Sequence, residues 1–263
     1  PEPAVQEPAD AAAYARRGAA YIARHEVDKA LPDLDRAIQL APTESGYFYQ
    51  RALARLANRQ PLLARTDLDQ ALKLKPDYFD AILLRSEMEL ARGNREAAVA
   101  DLDAADKLVS KQDDARLQLA GLYEATGRLE SAIAQYDQWI PEHDVDNRMA
   151  LARNGRCWAR ALLGHDLDKA LADCNAALRL APKTAAMLDS RGLVFLRRGE
   201  FDRAIVDYDF ALKLNPKTAW SYYGRGLAKL RKGMKAEGDA DIAAAVAIAP
   251  KLPDLAKAHG IAP

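Results

Sequence analysis

Little in this chain marks a catalyst or an anchor. It holds two cysteines and four histidines in 263 residues. The histidines, His25, His143, His165 and His259, stand apart, none with a second ligand at helical spacing, so no metal is assigned. There is no GxSxG, no HExxH, no phosphate-cradling glycine loop and no Asp-Thr/Ser-Gly. Acids are plentiful, but they recur at a fixed interval, which argues for architecture over a single catalytic pair. Neither a catalytic residue nor a cofactor is expected. No apolar run approaches the roughly 18 residues that a bilayer-crossing helix needs, so no membrane insertion is expected. Lys and Arg total 38 and Asp and Glu total 38, which leaves no net field for a nucleic-acid backbone.

What the chain does have is a period. Residues 185–218 read AAMLDSRGLVFLRRGEFDRAIVDYDFALKLNPKT, with small or apolar residues at Leu188, Gly192, Phe195, Gly199, Phe201, Ala204, Tyr208 and Ala211 and a stop at Pro216. That spells helix, glycine turn, helix, proline stop. The same 34-residue frame slides along most of the sequence, and a fixed period of this size marks a solenoid.

Leu188, Gly192, Phe195, Ala204, Tyr208, Ala211 and Pro216 stand at positions 4, 8, 11, 20, 24, 27 and 32 of the frame. In this the chain resembles the tetratricopeptide repeat (TPR) family. The resemblance implies an all-α fold, a right-handed α-solenoid of helix-turn-helix repeats closed by a C-terminal capping helix. The run RCWARALLGHDLDKALADCNAAL followed by SRGLVFLRRGEFDRAIVDYDFAL is similar to bacterial TPR proteins, which leaves bacterial cytoplasm and periplasm both open as compartments.

Taken in order, residues 1–10 form a proline-rich linker, as expected of a piece of a longer product. Repeats 1–4 occupy 11–146, repeats 5–7 occupy 147–252 after a four-residue insertion at Asn147–Ala150, and 253–263 hold the capping helix and tail. Repeat 4 is irregular: Trp139 replaces the alanine at position 27 and Pro141 follows early. A distortion or a longer following helix is expected there, dividing the array between residues 146 and 147.

A second periodic feature lies at positions 7 and 23, which pair Arg17 with Asp33, Arg51 with Asp67, Arg85 with Asp101, Arg191 with Asp207 and Arg225 with Asp241. Repeat 4 loses both charges together, as a shielded ion pair demands, since removing one partner strands the other. Repeat 5 keeps Asp173, which Arg156 or Arg160 must serve unless it faces solvent. The ladder is read as structural, because alternating signs cancel the field a charged ligand would need. Cys157 and Cys174 lie one on each helix of repeat 5. As small core residues they need no bond, which is the preferred reading; in an exported protein they would close a helix-to-helix disulfide.

The resemblance further implies that the first helices of the repeats line a concave groove. Facing it would be Tyr49, Leu53, Glu87, Glu124, Asp189, Arg197, Trp220, Tyr223 and Arg231. Aromatic residues and arginines there suit a protein interface, although Trp220 and Tyr223 could equally pack on the final helix. The expected function is a non-catalytic scaffold that binds a protein or peptide partner. The alternative is a regulatory or substrate-presenting domain of a larger enzyme, such as a retropepsin-like aspartic protease lying N-terminal to this chain. A third reading, an RNA-binding array, needs a basic groove.

Overall fold

The computed structural model describes residues 9–262, and the linker expected over residues 1–10 lies, up to residue 8, outside them. Among the described residues there are only helices and turns. They pair as α1 (Ala11–Ala23) with α2 (Val27–Leu40), α3 (Ser45–Ala57) with α4 (Pro61–Leu74), and α5 (Phe79–Ala91) with α6 (Arg95–Asp106). Next come α7 (Ala115–Ala125) with α8 (Leu129–Trp139), and α9 (Met149–Leu163) with α10 (Leu167–Leu180). The series ends with α11 (Ala185–Arg197) and α12 (Phe201–Leu214), α13 (Ala219–Arg231) and α14 (Lys235–Ile248), and the short α15 (Leu252–Ala258).

The repeated alanines explain how the pairs approach. Ala30, Ala64, Ala98, Ala132, Ala170 and Ala204, and the six alanines at position 27, have no measurable exposure, so backbone lies close to backbone where a larger side chain would force the helices apart. Between the helices of a pair the chain turns through a left-handed residue. Gly93, Gly127, Gly199 and Gly233 supply it in four repeats, while His25 and Arg59 adopt φ of 60° and 57° at the same position in the first two. A side chain pays for that conformation and glycine does not.

The chain forms two compact units, residues 1–109 and 110–263. The dividing point lies in the turn that follows α6, where repeat 3 ends in Ser110 instead of proline. The expected junction between residues 146 and 147 lies inside the second unit. The irregularity of repeat 4 takes a local form: α8 stops at Trp139, a single 3-10 turn spans Ile140–Glu142, and α9 starts at Met149 and runs for 15 residues. Trp139 is fully buried, stacks on His143 at 4.1 Å and donates its indole N–H to Asp114 at 3.2 Å. A tryptophan therefore fits where alanine is usual because the helix ends there.

Each ladder arginine forks onto the aspartate of its own repeat. Arg17 Nε and Nη2 reach Asp33 at 2.6 and 2.7 Å, and Arg85 reaches Asp101 at 2.9 and 2.6 Å. The same two-pronged contact joins Arg51 to Asp67, Arg191 to Asp207 and Arg225 to Asp241. The remaining guanidinium nitrogen crosses to the preceding repeat: Arg51 to Asp35, Arg85 to Asp69, Arg191 to Asn175 and Arg225 to Asp209. In repeat 5 both alternatives hold at once, since Arg156 and Arg160 each contact Asp173 and also Asp137 of repeat 4. In repeat 4 a buried Arg116 donates to Gln135 at 2.6 Å. Burial alone pushes the Asp241 carboxyl up, but Arg225 and Lys229 together hold it below the usual carboxylate range. Paired in this way the charges can stay inside.

The preference for two unbonded cysteines does not hold. Cys157 on α9 and Cys174 on α10 are joined by a disulfide with Cα atoms 5.5 Å apart. The bond sits in the apolar core of the second unit beside Ala161, Leu162 and Ala170.

Candidate functional site

In the first unit the first helices carry an aromatic and acidic face. Tyr49 on α3 and Tyr78, the residue before α5, lie with ring centroids 5.1 Å apart at a 49° tilt, and both are half-buried. Half-burial raises the Tyr49 phenol above its ordinary range, helped by the Asp80 and Glu87 carboxylates. Tyr78 is pushed up to about 12 by burial, with Tyr49, Asp80 and Glu44 adding to it. Leu53, one helical turn from Tyr49, is half-buried, and Glu87 and Asp80 are exposed. Among the described residues no lysine or arginine pairs with Glu44, Asp80 or Glu87, although Lys75 stands 5.1 Å over the Tyr78 ring. The face therefore offers two ring surfaces and unneutralised acid. Tyr78 escapes a reading by groove position because it is the last residue of repeat 2, just before α5 begins at Phe79, while Asp80 stands at the second position of repeat 3.

In the second unit the expected groove residues are committed to the protein itself. Tyr223 is 1% exposed, and Trp220 sits edge-on between Trp158 (5.3 Å) and Tyr223 (6.4 Å) in the core that also takes in Leu252, Ala256 and Ile261. The two aromatics thus belong to the same apolar core as the C-terminal helix and Ile261. Glu124 accepts a hydrogen bond from the Tyr136 hydroxyl at 2.9 Å, and burial pushes its carboxyl up to about 7. Asp189 is deeper still: Ser221 donates its hydroxyl to it, and burial again pushes it up to about 7. Tyr136 and Tyr208 reach past their own repeats into notches at Gly155 and Gly224, where any Cβ would collide with the phenol oxygen.

Arg197 is held by backbone. Its Nε donates to Ala161 O at 3.1 Å and its Nη2 to Leu162 O at 2.8 Å, at the end of α9. The other contacts run to His259 O and, at 3.2 Å, to Gly260 O just past α15. Helix ends carry exposed carbonyls and partial negative charge, so a guanidinium without a carboxylate is satisfied there. Burial lowers its proton affinity below the ordinary range. Arg231 is exposed and donates to Ala262 O at 3.2 Å.

No group of three or more His, Cys, Asp or Glu side chains suited to a metal occurs among the described residues. No described helix is long and apolar enough to cross a membrane.

Comparison with known proteins agrees with this geometry. Family models described as tetratricopeptide repeat match residues 49–113 and 89–154, and one described as TPR repeat matches 192–233, which together take in more than half of the chain. No curated protein sequence matches. Among solved structures, a tetratricopeptide repeat protein from Parabacteroides merdae is similar over 95% of this chain and 98% of its own at 16% identity, with a TM-score of 0.67. The C-terminal part of a TPR repeat-containing protein from Cytophaga hutchinsonii gives 0.62 at 15% identity, over 82% and 87% of the two chains. YrrB, described as a TPR protein with an unusual peptide-binding site, gives 0.59 at 15% identity, over 72% and 95%. At such identities the likeness is one of fold. With the period, the paired helices and the three matching models in agreement, the chain belongs to the tetratricopeptide repeat family, whose repeats form scaffolds for protein–protein interaction.

Proposed function

We propose that this chain is a non-catalytic scaffold that takes an extended peptide bearing lysine or arginine on the α3–α5 face of its first unit. The observation that carries the reading is the Tyr49–Tyr78 pair, left half-open beside Glu44, Asp80 and Glu87, which find no basic partner among the described residues. Tyrosine faces attract a cation, and nearby carboxylates steer it and fix its register. The peptide-binding site named for YrrB supports a peptide as the partner class. The charged ladder does not compete for the ligand, because its members are paired within the protein.

The test is fluorescence polarisation with an array of extended peptides that vary the position of a single Lys or Arg. Binding should weaken with salt, and Tyr49→Ala should cost on the order of 2 kcal/mol, about thirtyfold, as an interface anchor does. Glu87→Lys should lower the association rate more than it raises the dissociation rate. If both variants keep their helical circular dichroism and bind the best peptide as tightly as the unaltered chain, the site lies elsewhere.

A further inference from the structure

Repeat 5 is built around its disulfide. Cys157 stands where the ladder puts an arginine in five other repeats, and Asp173 keeps the facing position. Neighbours on α9 serve that carboxylate instead: Arg156 forks onto Asp173 at 2.8 and 2.6 Å, and Arg160 adds a contact at 2.7 Å. Both cysteines have no measurable exposure and lie in an apolar cluster with Ala161, Leu162 and Ala170. Thiol–disulfide exchange needs a third sulfur to reach the reacting pair, and no such approach is open once α9 and α10 have closed. The bond is therefore made before the two helices pack, and only their opening gives access to it again.

The two cysteines differ while the chain is still open. Cys157 follows Arg156 and lies three residues before Arg160, whereas Cys174 follows Asp173. A neighbouring cation favours the thiolate, which is the attacking form, and a neighbouring carboxylate disfavours it. Across about 6 Å of water each unit charge alters the thiolate population roughly threefold, so the two sites differ by about tenfold. The weaker intrinsic nucleophilicity of the more acidic thiol reduces that lead of Cys157 to roughly threefold.

We propose that Cys157 and Cys174 are the substrate of a disulfide-carrying oxidant, that Cys157 attacks it and Cys174 resolves, and that closure of α9 on α10 then seals the product. In the first step the Cys157 thiolate bonds to one oxidant sulfur and the other oxidant sulfur leaves as a thiolate. In the second the Cys174 thiolate attacks the Cys157 sulfur and expels the remaining oxidant sulfur. The chain gives up two electrons and, through solvent, two protons; the oxidant's disulfide takes both and ends as two thiols. The chain thus matures where disulfides are maintained, since a reducing pool keeps open thiols reduced.

The order of attack is read on the full chain in low-salt urea, where no variant has to fold. Cys174→Ala and Cys157→Ala are each mixed with hydroxyethyl disulfide, a small neutral oxidant, and the mixed disulfide is followed by mass spectrometry. Cys174→Ala, which keeps Cys157, should be captured roughly threefold faster, and Arg156→Gln should remove most of that lead. Sealing is read on the unaltered, bonded chain: dithiothreitol in native buffer should reduce it on the order of a hundredfold more slowly than the same reductant in unfolding urea, because only opened molecules react. The source of the oxidant is read by diluting the reduced chain from urea into hydroxyethyl disulfide or into an oxidised Cys-Xaa-Xaa-Cys oxidoreductase. The bond should form in both, and the arm that needs less oxidant names the source. Equal capture of the two single-cysteine chains, faster capture through Cys174, or a bond reduced as fast in the folded chain as in the unfolded one would overturn the proposal.

Discussion

Asp189 carries a pH dependence that falls in the neutral range. It is buried, its one described hydrogen-bond donor is Ser221, and its carboxyl sits near 7 instead of the usual 4 or below. The folded protein thus keeps a proton that the unfolded chain gives up, so the stabilisation is complete below the unfolded value and is lost as the pH rises through about 7. Glu124 acts in the same direction over the same window. The melting temperature of the second unit should therefore be higher at pH 5.5 than at pH 8, by a contribution on the order of a few kcal/mol. Asp189→Asn keeps the partner for Ser221 and should flatten that slope in a calorimetric pH series. A ladder residue behaves differently. Arg191→Leu leaves Asp207, which is 4% exposed, without its two-pronged partner, and should cost about 3 kcal/mol in urea unfolding. Adding Asp207→Leu should recover most of that loss, since repeat 4 already replaces the charged pair with Leu119 and Gln135.

At the scale of elements, the disulfide ties α9 to α10 across a separation of 17 residues. Closing a loop of that length stabilises by about 3 kcal/mol, so reduction should lower the stability of this helix pair by that amount. Hydrogen exchange should rise in peptides from 149–180 and stay unchanged in α1 to α6. The helix pairs were legible in the sequence because glycine, alanine and proline recur at fixed positions for direct steric reasons. The ladder was legible for the same reason, but its second half was not. The acids at Asp35, Asp69, Asp137 and Asp209 recur just as regularly, yet which repeat a long arginine side chain will reach depends on stacking geometry that spacing does not encode. The bond between Cys157 and Cys174 turns on the distance between two inward positions, which a helical pattern leaves undetermined.

For the molecule as a whole, nine groove positions inferred from one repeat frame separate into two kinds. Tyr49, Leu53 and Glu87 in the first unit keep an accessible face, whereas Glu124, Asp189, Arg197 and Tyr223 in the second are taken up by internal partners. A repeat frame assigns the same role to equivalent positions and so does not show which of them internal partners such as Tyr136 and Ser221 take up. The division into compact units after residue 109 has a local origin of its own. An inserted segment and a large tryptophan draw the eye to residues 139–150, but the helices there pack continuously, and the separation comes where the turn after α6 runs on without a proline stop.

The arginine that joins repeats 2, 3, 6 and 7 each to the one before also bears on how such a chain can change in length. Arg51 meets Asp35 and Arg85 meets Asp69 through the same atoms. Excising residues 45–78 would bring Arg85 to Asp35 and recreate the seam that was cut. Gain or loss of a whole unit by unequal recombination would then need no compensating substitution at that seam, provided the breakpoints fall at equivalent codons. The join between repeats 4 and 5 follows another pattern, with Arg156 and Arg160 on Asp137, and a copy pasted there would meet the wrong edge. Length should vary among descendants of this sequence in the first three repeats and hold constant around residues 113–180.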